Sequence, residues 1–306
     1  MITDKDDAHN VQPVEQELAE SNIKVLYYDQ AFVESLSDDA PLPSDERLSN
    51  RTAESTAYIL YTSGSTGLPK GVTMRQARIL GTGKTISQYL RLKPTDRFYT
   101  CMPLYHGAAH GLGVAPIIHA GSILILGRKF SHRRFWPEVR ESNANIIQYV
   151  GELCRYLVNA PPSPDDKNHN VHMAWGNGMR PDVWKVFRER FGIPVINELY
   201  AATDGMGGAF NRNEGPFTEF AITKRGAIWN WLTKKNEIRV KIDPDTEDIL
   251  RDQNGFAIPV AVNEPGEVIH RIVDPSAPTA AWNGYLKNTG AENKRYLKDA
   301  FQKGDM

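Results

Sequence analysis

Between residues 97 and 200, apolar runs that read as strands alternate with segments that read as helices. RFYTCM (97–102), SILIL (122–126), NIIQYV (145–150), VHMAW (171–175) and VINELY (195–200) are the strand-like runs. The segment after His106, FWPEVRES with Ser131 as its cap, ELCRYLVNA, and RPDVWKVFRERFG with Gly192 at its end are the helix-like ones. Upstream, IKVLYY (23–28) and YILYT (58–62) also read as strands, and Arg75 to Leu92 reads as a helix with Pro94 beyond its end. Repeated β-α units imply a mostly parallel sheet covered by helices, so the chain is expected to be an α/β protein.

After about residue 210 the texture changes. NEIRVKI, EDILRD, FAIPVAV and GEVIHRIV are short strand-like runs between turns, without helices between them. The expected division is a partial β-α unit and polar linker over 1–50, an α/β core over 51–209 and a smaller β-rich subdomain over 210–306. Both ends read as cut, the first in the middle of a β-α unit and the second within a helix-loop.

Composition removes several classes of function. The charges balance, 36 Lys+Arg against 37 Asp+Glu, so no basic field draws nucleic acid and no acidic tail is present. Cys101 and Cys154 lie far apart and outside any CxxC pattern. They form neither a disulfide framework nor a zinc site, and suit a reducing, intracellular setting as core residues. The polar, acidic MITDKDDAHNVQPVEQ is neither a signal nor a transit peptide. GLGVAPIIHAGSILILG is too broken by Pro116, His119 and glycines to span a bilayer.

The chemistry centres on YILYTSGSTGLPKGVTM. A strand leads into Thr62, Ser63, Gly64, Ser65, Thr66 and Gly67, where small residues let the backbone approach a ligand. Successive backbone N–H groups in such a turn make an anion-binding concavity, hydroxyls add donors, and Lys70 adds a positive charge. Phosphate fits these donors best. The P-loop pattern G-x-x-x-x-G-K-[ST] does not fit, because Pro69 stands five positions after Gly64 and Lys70 is followed by Gly71.

TSGSTGLPKG resembles the signature of the adenylate-forming (AMP-binding) superfamily, whose loop embraces the β- and γ-phosphates of ATP. Longer stretches narrow the resemblance. RKFSHRRFWPEVRESNANIIQYVGELCRYLVNAP, PPSPDDKNHNVHMAWGNGMRPDVWKVFRERFG and RDQNGFAIPVAVNEPGEVIHRI are similar to the fatty-acid transport protein and very-long-chain acyl-CoA synthetase family. That resemblance runs from about residue 23 to the end. It implies the N-terminal fold of that family in a truncated member that lacks the C-terminal cap domain.

The resemblance also implies roles. In MPLYHGAAHG, His106 stands just past a strand end and would border the substrate carboxylate; His110 is expected to be structural. Gly176, Asn177 and Gly178 of AWGNGMRP would form the backbone wall against adenine. In ELYAATDG, Tyr200 would stack on adenine, Thr203 would bind the α-phosphate, and Asp204 would hold Mg²⁺ where the family carries glutamate. Aspartate keeps the hard oxygen that Mg²⁺ takes but is one methylene shorter. Lys70, His106 and Thr203 are the catalytic candidates.

The reaction implied is activation of a long- or very-long-chain fatty acid by ATP to an acyl-adenylate, then transfer to coenzyme A. Two other readings stay open: a ligase for an unusual carboxylic acid in a specialised pathway, and a non-catalytic fragment that binds nucleotide or lipid. Family resemblance also implies peripheral membrane association, at the peroxisome, the endoplasmic reticulum or another lipid-associated membrane.

Overall fold

The structure is a computed structural model that describes residues 1–37, 44–47, 49–62, 68–215, 222–223, 226–272 and 284–305. Backbone contacts divide the chain into two units, Met1–Arg51 and Thr52–Met306. In the first, β1 (Ile2–Asp4) pairs in parallel with β2 (Leu26–Tyr28), and α1 (Glu15–Glu20) lies between them in sequence. The strand expected over 23–28 therefore forms only in its second half. Asp29 starts α2 (Gln30–Glu34) by accepting a hydrogen bond from the Phe32 N–H at 2.8 Å, an N-cap.

The second unit opens with an antiparallel hairpin, β3 (Thr56–Thr62) and β4 (Lys70–Arg75). β4 is a strand the sequence pattern did not assign. The hairpin is a two-stranded ladder separate from the main sheet, with an isolated bridge from Val72 to Tyr285 on its edge. α3 (Gln76–Leu90) follows and ends where Arg91 takes a left-handed conformation at φ 56°.

The main sheet then builds from β5 (Arg97–Thr100), β6 (Ile123–Leu126), β7 (Ile146–Val150), β8 (Met173–Asn177), β9 (Val195–Ala201) and β10 (Gly208–Asn213). Among the described residues the strand order is β10-β9-β8-β7-β5-β6; only β10 runs antiparallel to its neighbour. The expected boundary after residue 209 thus falls inside β10.

Helices cover both faces. On one lie α5 (Phe135–Glu141), α6 (Gly151–Asn159) and α7 (Pro181–Phe191). Val183, Trp184, Phe187 and Phe191 share one side of α7, and they pack with Phe135, Cys154, Ile147 and Ile196. Pro181 begins α7 and Gly192, at φ 68°, ends it, as the sequence suggested. Ser131 does not cap α5 with its side chain; its carbonyl accepts the N–H groups of Arg134 and Phe135, and the helix starts after that turn. On the other face, Ile86 and Leu90 of α3 and Ile117 of α4 (Ala115–Ala120) pack on Phe98, Ile146, Met173 and Trp175. Cys101 and Cys154 are buried and unbridged.

Beyond β10, β11 (Glu237–Val240) and β12 (Glu267–His270) pair antiparallel. EDILRD and FAIPVAV contribute isolated bridges, such as Ile242 to Ile249 and Arg251 to Ala257, rather than strands. A helix not foreseen there, α8 (Ala227–Thr233), precedes β11. A short helix, α9 (Thr289–Asn293), follows a stretch that returns to the hairpin.

Candidate active site

Ligands of open α/β sheets bind beyond the carboxyl ends of the strands. A cleft of about 500 Å³ lies at that end, bounded by the hairpin, α3, the His106 turn and the segment after β9. A second hollow, lined by Lys167, Arg188 and Glu214, lies at the opposite end.

Of the phosphate-loop candidates, Thr62 ends β3 and Lys70 begins β4, on the hairpin whose Tyr58, Leu60 and Met74 line the cleft. Thr62 and Lys70 pair directly, so the connection between them is closed at its base. Ser63, Gly64, Ser65, Thr66 and Gly67 lie outside the described residues. Lys70 Nζ sits 5.2 Å from the centre of the Tyr285 ring.

His106 begins a helical turn, Gly107–Ala109, that continues as a π-helical segment, His110–Val114, and then α4. Its Nδ1 accepts the Ala108 N–H at 3.1 Å. The ring proton of the neutral imidazole is therefore on Nε2, and His106 presents an N–H donor. The turn is pinned to the sheet from below. Gln148 Nε2 donates to the Ala108 carbonyl at 2.8 Å, and Trp175 Nε1 donates to the Leu112 carbonyl at 2.8 Å. His110 packs edge-on to Tyr58 with ring centres 4.3 Å apart, and burial holds its pKa down.

The turn after β8 is set by steric fit and by one carboxylate. A Cβ at Gly176 would fall on the Tyr149 carbonyl, and one at Gly151 on the Gly178 carbonyl. Gly178 itself has φ 75°, a left-handed conformation that a side chain disfavours. Glu198 on β9, 4% exposed, accepts the Gly178 N–H and, at 3.3 Å, the Met179 N–H. Tyr149 Oη donates to the same carboxylate at 2.6 Å. Burial raises the Glu198 pKa to about 7, although these three donors oppose the shift.

The segment after β9 carries the remaining candidates. Tyr200 is 65% exposed at the strand end. Thr203 faces the His106 turn closely enough that a Cβ on Gly107 would lie 3.3 Å from its Oγ1. Arg78 of α3 clamps this segment: its Nη2 donates to the carbonyls of Thr203 at 3.2 Å and Gly205 at 2.9 Å. Asp204, between them, accepts the Tyr285 hydroxyl on Oδ2 at 2.5 Å, with Arg295 Nη2 3.5 Å from the same oxygen.

His106, Asn177 and Thr203 therefore share the cleft with apolar Leu60, Leu199 and Phe210. Gly176 is buried under the adjoining turn. Sequence reasoning missed Arg78, Glu198, Tyr285 and Arg295. Glu198 had a visible signal, a charge inside the apolar run VINELY. Arg78 sits in an ordinary helical pattern, and Tyr285 and Arg295 reach the site only by folding back.

The model of the family described as "AMP-binding enzyme" matches residues 1–271. The chain belongs to the AMP-binding enzyme family. The very long-chain fatty acid transport protein of Cochliobolus heterostrophus is 55% identical over 306 residues, covering 100% of this chain and 47% of that protein. The medium/long-chain-fatty-acid–CoA ligase FadD6 of Mycobacterium tuberculosis is 36% identical over 274 residues, covering 89% of this chain and 43% of that protein. The chain thus spans about half the length of the curated relatives it matches. The crystal structure of ATP-bound MatB from Rhodopseudomonas palustris has the same fold, with a TM-score of 0.68 at 18% identity over 98% of this chain and 54% of that one. In this AMP-binding family member, no helix among the described residues is long and apolar enough to cross a membrane.

Proposed function

We propose that this chain carries the ATP- and acid-binding part of an acyl-CoA ligase. The reaction activates a long- or very-long-chain fatty acid through an acyl-adenylate to its coenzyme A thioester. The observation that supports this reading is the cleft where His106, Asn177 and Thr203 meet an apolar interior. A polar rim over an apolar hollow suits an acid with a long hydrocarbon tail. Relatives named as a fatty acid transport protein and a fatty-acid–CoA ligase support the same substrate class.

In this reading Thr62, Ser63, Gly64, Ser65, Thr66 and Gly67 hold the β- and γ-phosphates with Lys70. Thr203 orients the α-phosphate, and His106 offers its Nε2–H to the acid's carboxylate. Gly176, Asn177 and Gly178 wall the adenine, and Tyr200 stacks on it. Asp204 suits Mg²⁺: it supplies a hard oxygen, and among the described residues its Oδ1 accepts no hydrogen bond. Mg²⁺ there, when bound, neutralises phosphate charge. The protein's own part is positioning and charge complementarity.

Pyrophosphate exchange into ATP tests the reading across a panel of acids. Exchange stimulated by long-chain acids is the expected result. Stimulation only by another class of acid would favour the specialised ligase, and ATP binding without any exchange would favour the non-catalytic reading.

Peripheral association with a lipid membrane belongs to the same proposal, at the peroxisome, the endoplasmic reticulum or a similar compartment. Helix α8 supports it: Ile228, Trp229, Trp231 and Leu232 are all exposed, and Lys234 and Lys235 follow directly. An aromatic, apolar face beside lysines suits an anionic bilayer surface. Flotation with phosphatidylserine-containing vesicles should retain the protein, and Trp229→Ala/Trp231→Ala should lose most of that retention. Equal flotation of both would remove α8 from the proposal.

A further inference from the structure

Tyr285 lies outside every motif of the sequence, yet it touches both charged candidates of the phosphate region. The residues around it, 284–286, add to the hairpin edge. Leu286 N–H donates to the Gly71 carbonyl at 2.8 Å, Thr73 N–H donates to the Gly284 carbonyl at 3.4 Å, and Tyr285 bridges Val72. That pairing buries the Tyr285 ring, 5% exposed, and places its face 5.2 Å from Lys70 Nζ. Its hydroxyl reaches across to Asp204 Oδ2 at 2.5 Å. Arg295 approaches that same oxygen at 3.5 Å and donates to the Asp204 carbonyl at 3.4 Å. Arg78 holds the backbone on either side.

Among the described residues the polar partners of this carboxylate are thus on Oδ2, and the Asp204 backbone is clamped. We propose that Tyr285 is the positioning residue of the metal site: it fixes Asp204 through Oδ2 so that Oδ1 is presented to the Mg²⁺ that accompanies ATP. The inference rests on the ATP reading above. Its physical basis is general. A carboxylate that ligates a metal is itself hydrogen-bonded, and removing such an outer partner typically costs about 10- to 100-fold in metal affinity. Here the need is greater, because aspartate is shorter than glutamate and must be held in one rotamer to reach. The hairpin supplies that hold through main-chain pairing. The same pairing sets the Lys70 ammonium over the ring, a cation–π contact that couples the phosphate-loop lysine to the metal ligand.

Calorimetry of ATP binding, with Mg²⁺ and with EDTA, tests this on the wild-type chain and on Tyr285→Phe, with Asp204→Asn for comparison. Tyr285→Phe removes only the hydroxyl. Its affinity for ATP in EDTA should equal the wild type's, which also shows that the site is folded. The gain in affinity on adding Mg²⁺ should fall about tenfold or more, and should vanish in Asp204→Asn. An unchanged Mg²⁺ gain in Tyr285→Phe would overturn the proposal. A larger gain would overturn it too, because Tyr285 would then be competing with the metal. Wild-type protein that binds no ATP under either condition would sink the ATP reading itself, and the inference with it. Wild-type protein that binds ATP equally with and without Mg²⁺ would sink the inference alone.

Discussion

Glu198→Ala is expected to destabilise the protein by roughly 2–6 kcal/mol. The carboxylate is buried and accepts the N–H groups of Gly178 and Met179, and each buried donor left without a partner costs about 1–3 kcal/mol. Tyr149 adds less to this sum, because its hydroxyl also donates to the Asn197 carbonyl at 3.1 Å. Urea unfolding monitored by circular dichroism measures the loss. Glu198→Gln keeps an oxygen for the two N–H groups and should cost much less. It should also change the pH dependence. The folded-state pKa of Glu198 is raised to about 7 from 4.5, so the native state binds this proton more tightly than the unfolded chain does. The stabilisation is fully present below about pH 4.5 and is lost as pH rises through 7. Between pH 5 and 8 the wild type should lose on the order of 2–3 kcal/mol relative to Glu198→Gln. Parallel stability–pH curves for the two proteins would refute the assignment of the raised pKa to Glu198.

Lys70→Ala and Thr203→Val should each lower acid-dependent pyrophosphate exchange by about 10²- to 10³-fold, the usual cost of removing one group aimed at developing charge. Thr203 lines the cleft against the His106 turn, and Lys70 begins β4 paired with Thr62. Neither belongs to the buried clusters that hold the sheet, so melting temperature should change by only a few degrees. Exchange within threefold of wild type in both variants would remove them from the phosphate site.

Much of this molecule is legible in the amino-acid order, because its determinants are local. Runs such as IIQYV and the one-sided spacing of Val183, Trp184, Phe187 and Phe191 declare strand and helix. Gly192 stops a helix because few other residues tolerate φ near 68°. The string TSGSTGLPKG and the strand end YAATDG carry the resemblance to the AMP-binding family, and the family model matches residues 1–271. What only the tertiary structure decided depends on pairing between distant segments. Nothing local says that YILYT forms a ladder with KGVTMR instead of entering the main sheet, or that Gly208–Asn213 closes its edge antiparallel. Nothing local says that Tyr285, 81 residues beyond Asp204, returns to hold it, or that Arg78 from 125 residues before Thr203 clamps its carbonyl. Such contacts arise from shape fit and hydrogen-bond satisfaction across the fold, and their strength grows with burial that no single segment carries by itself.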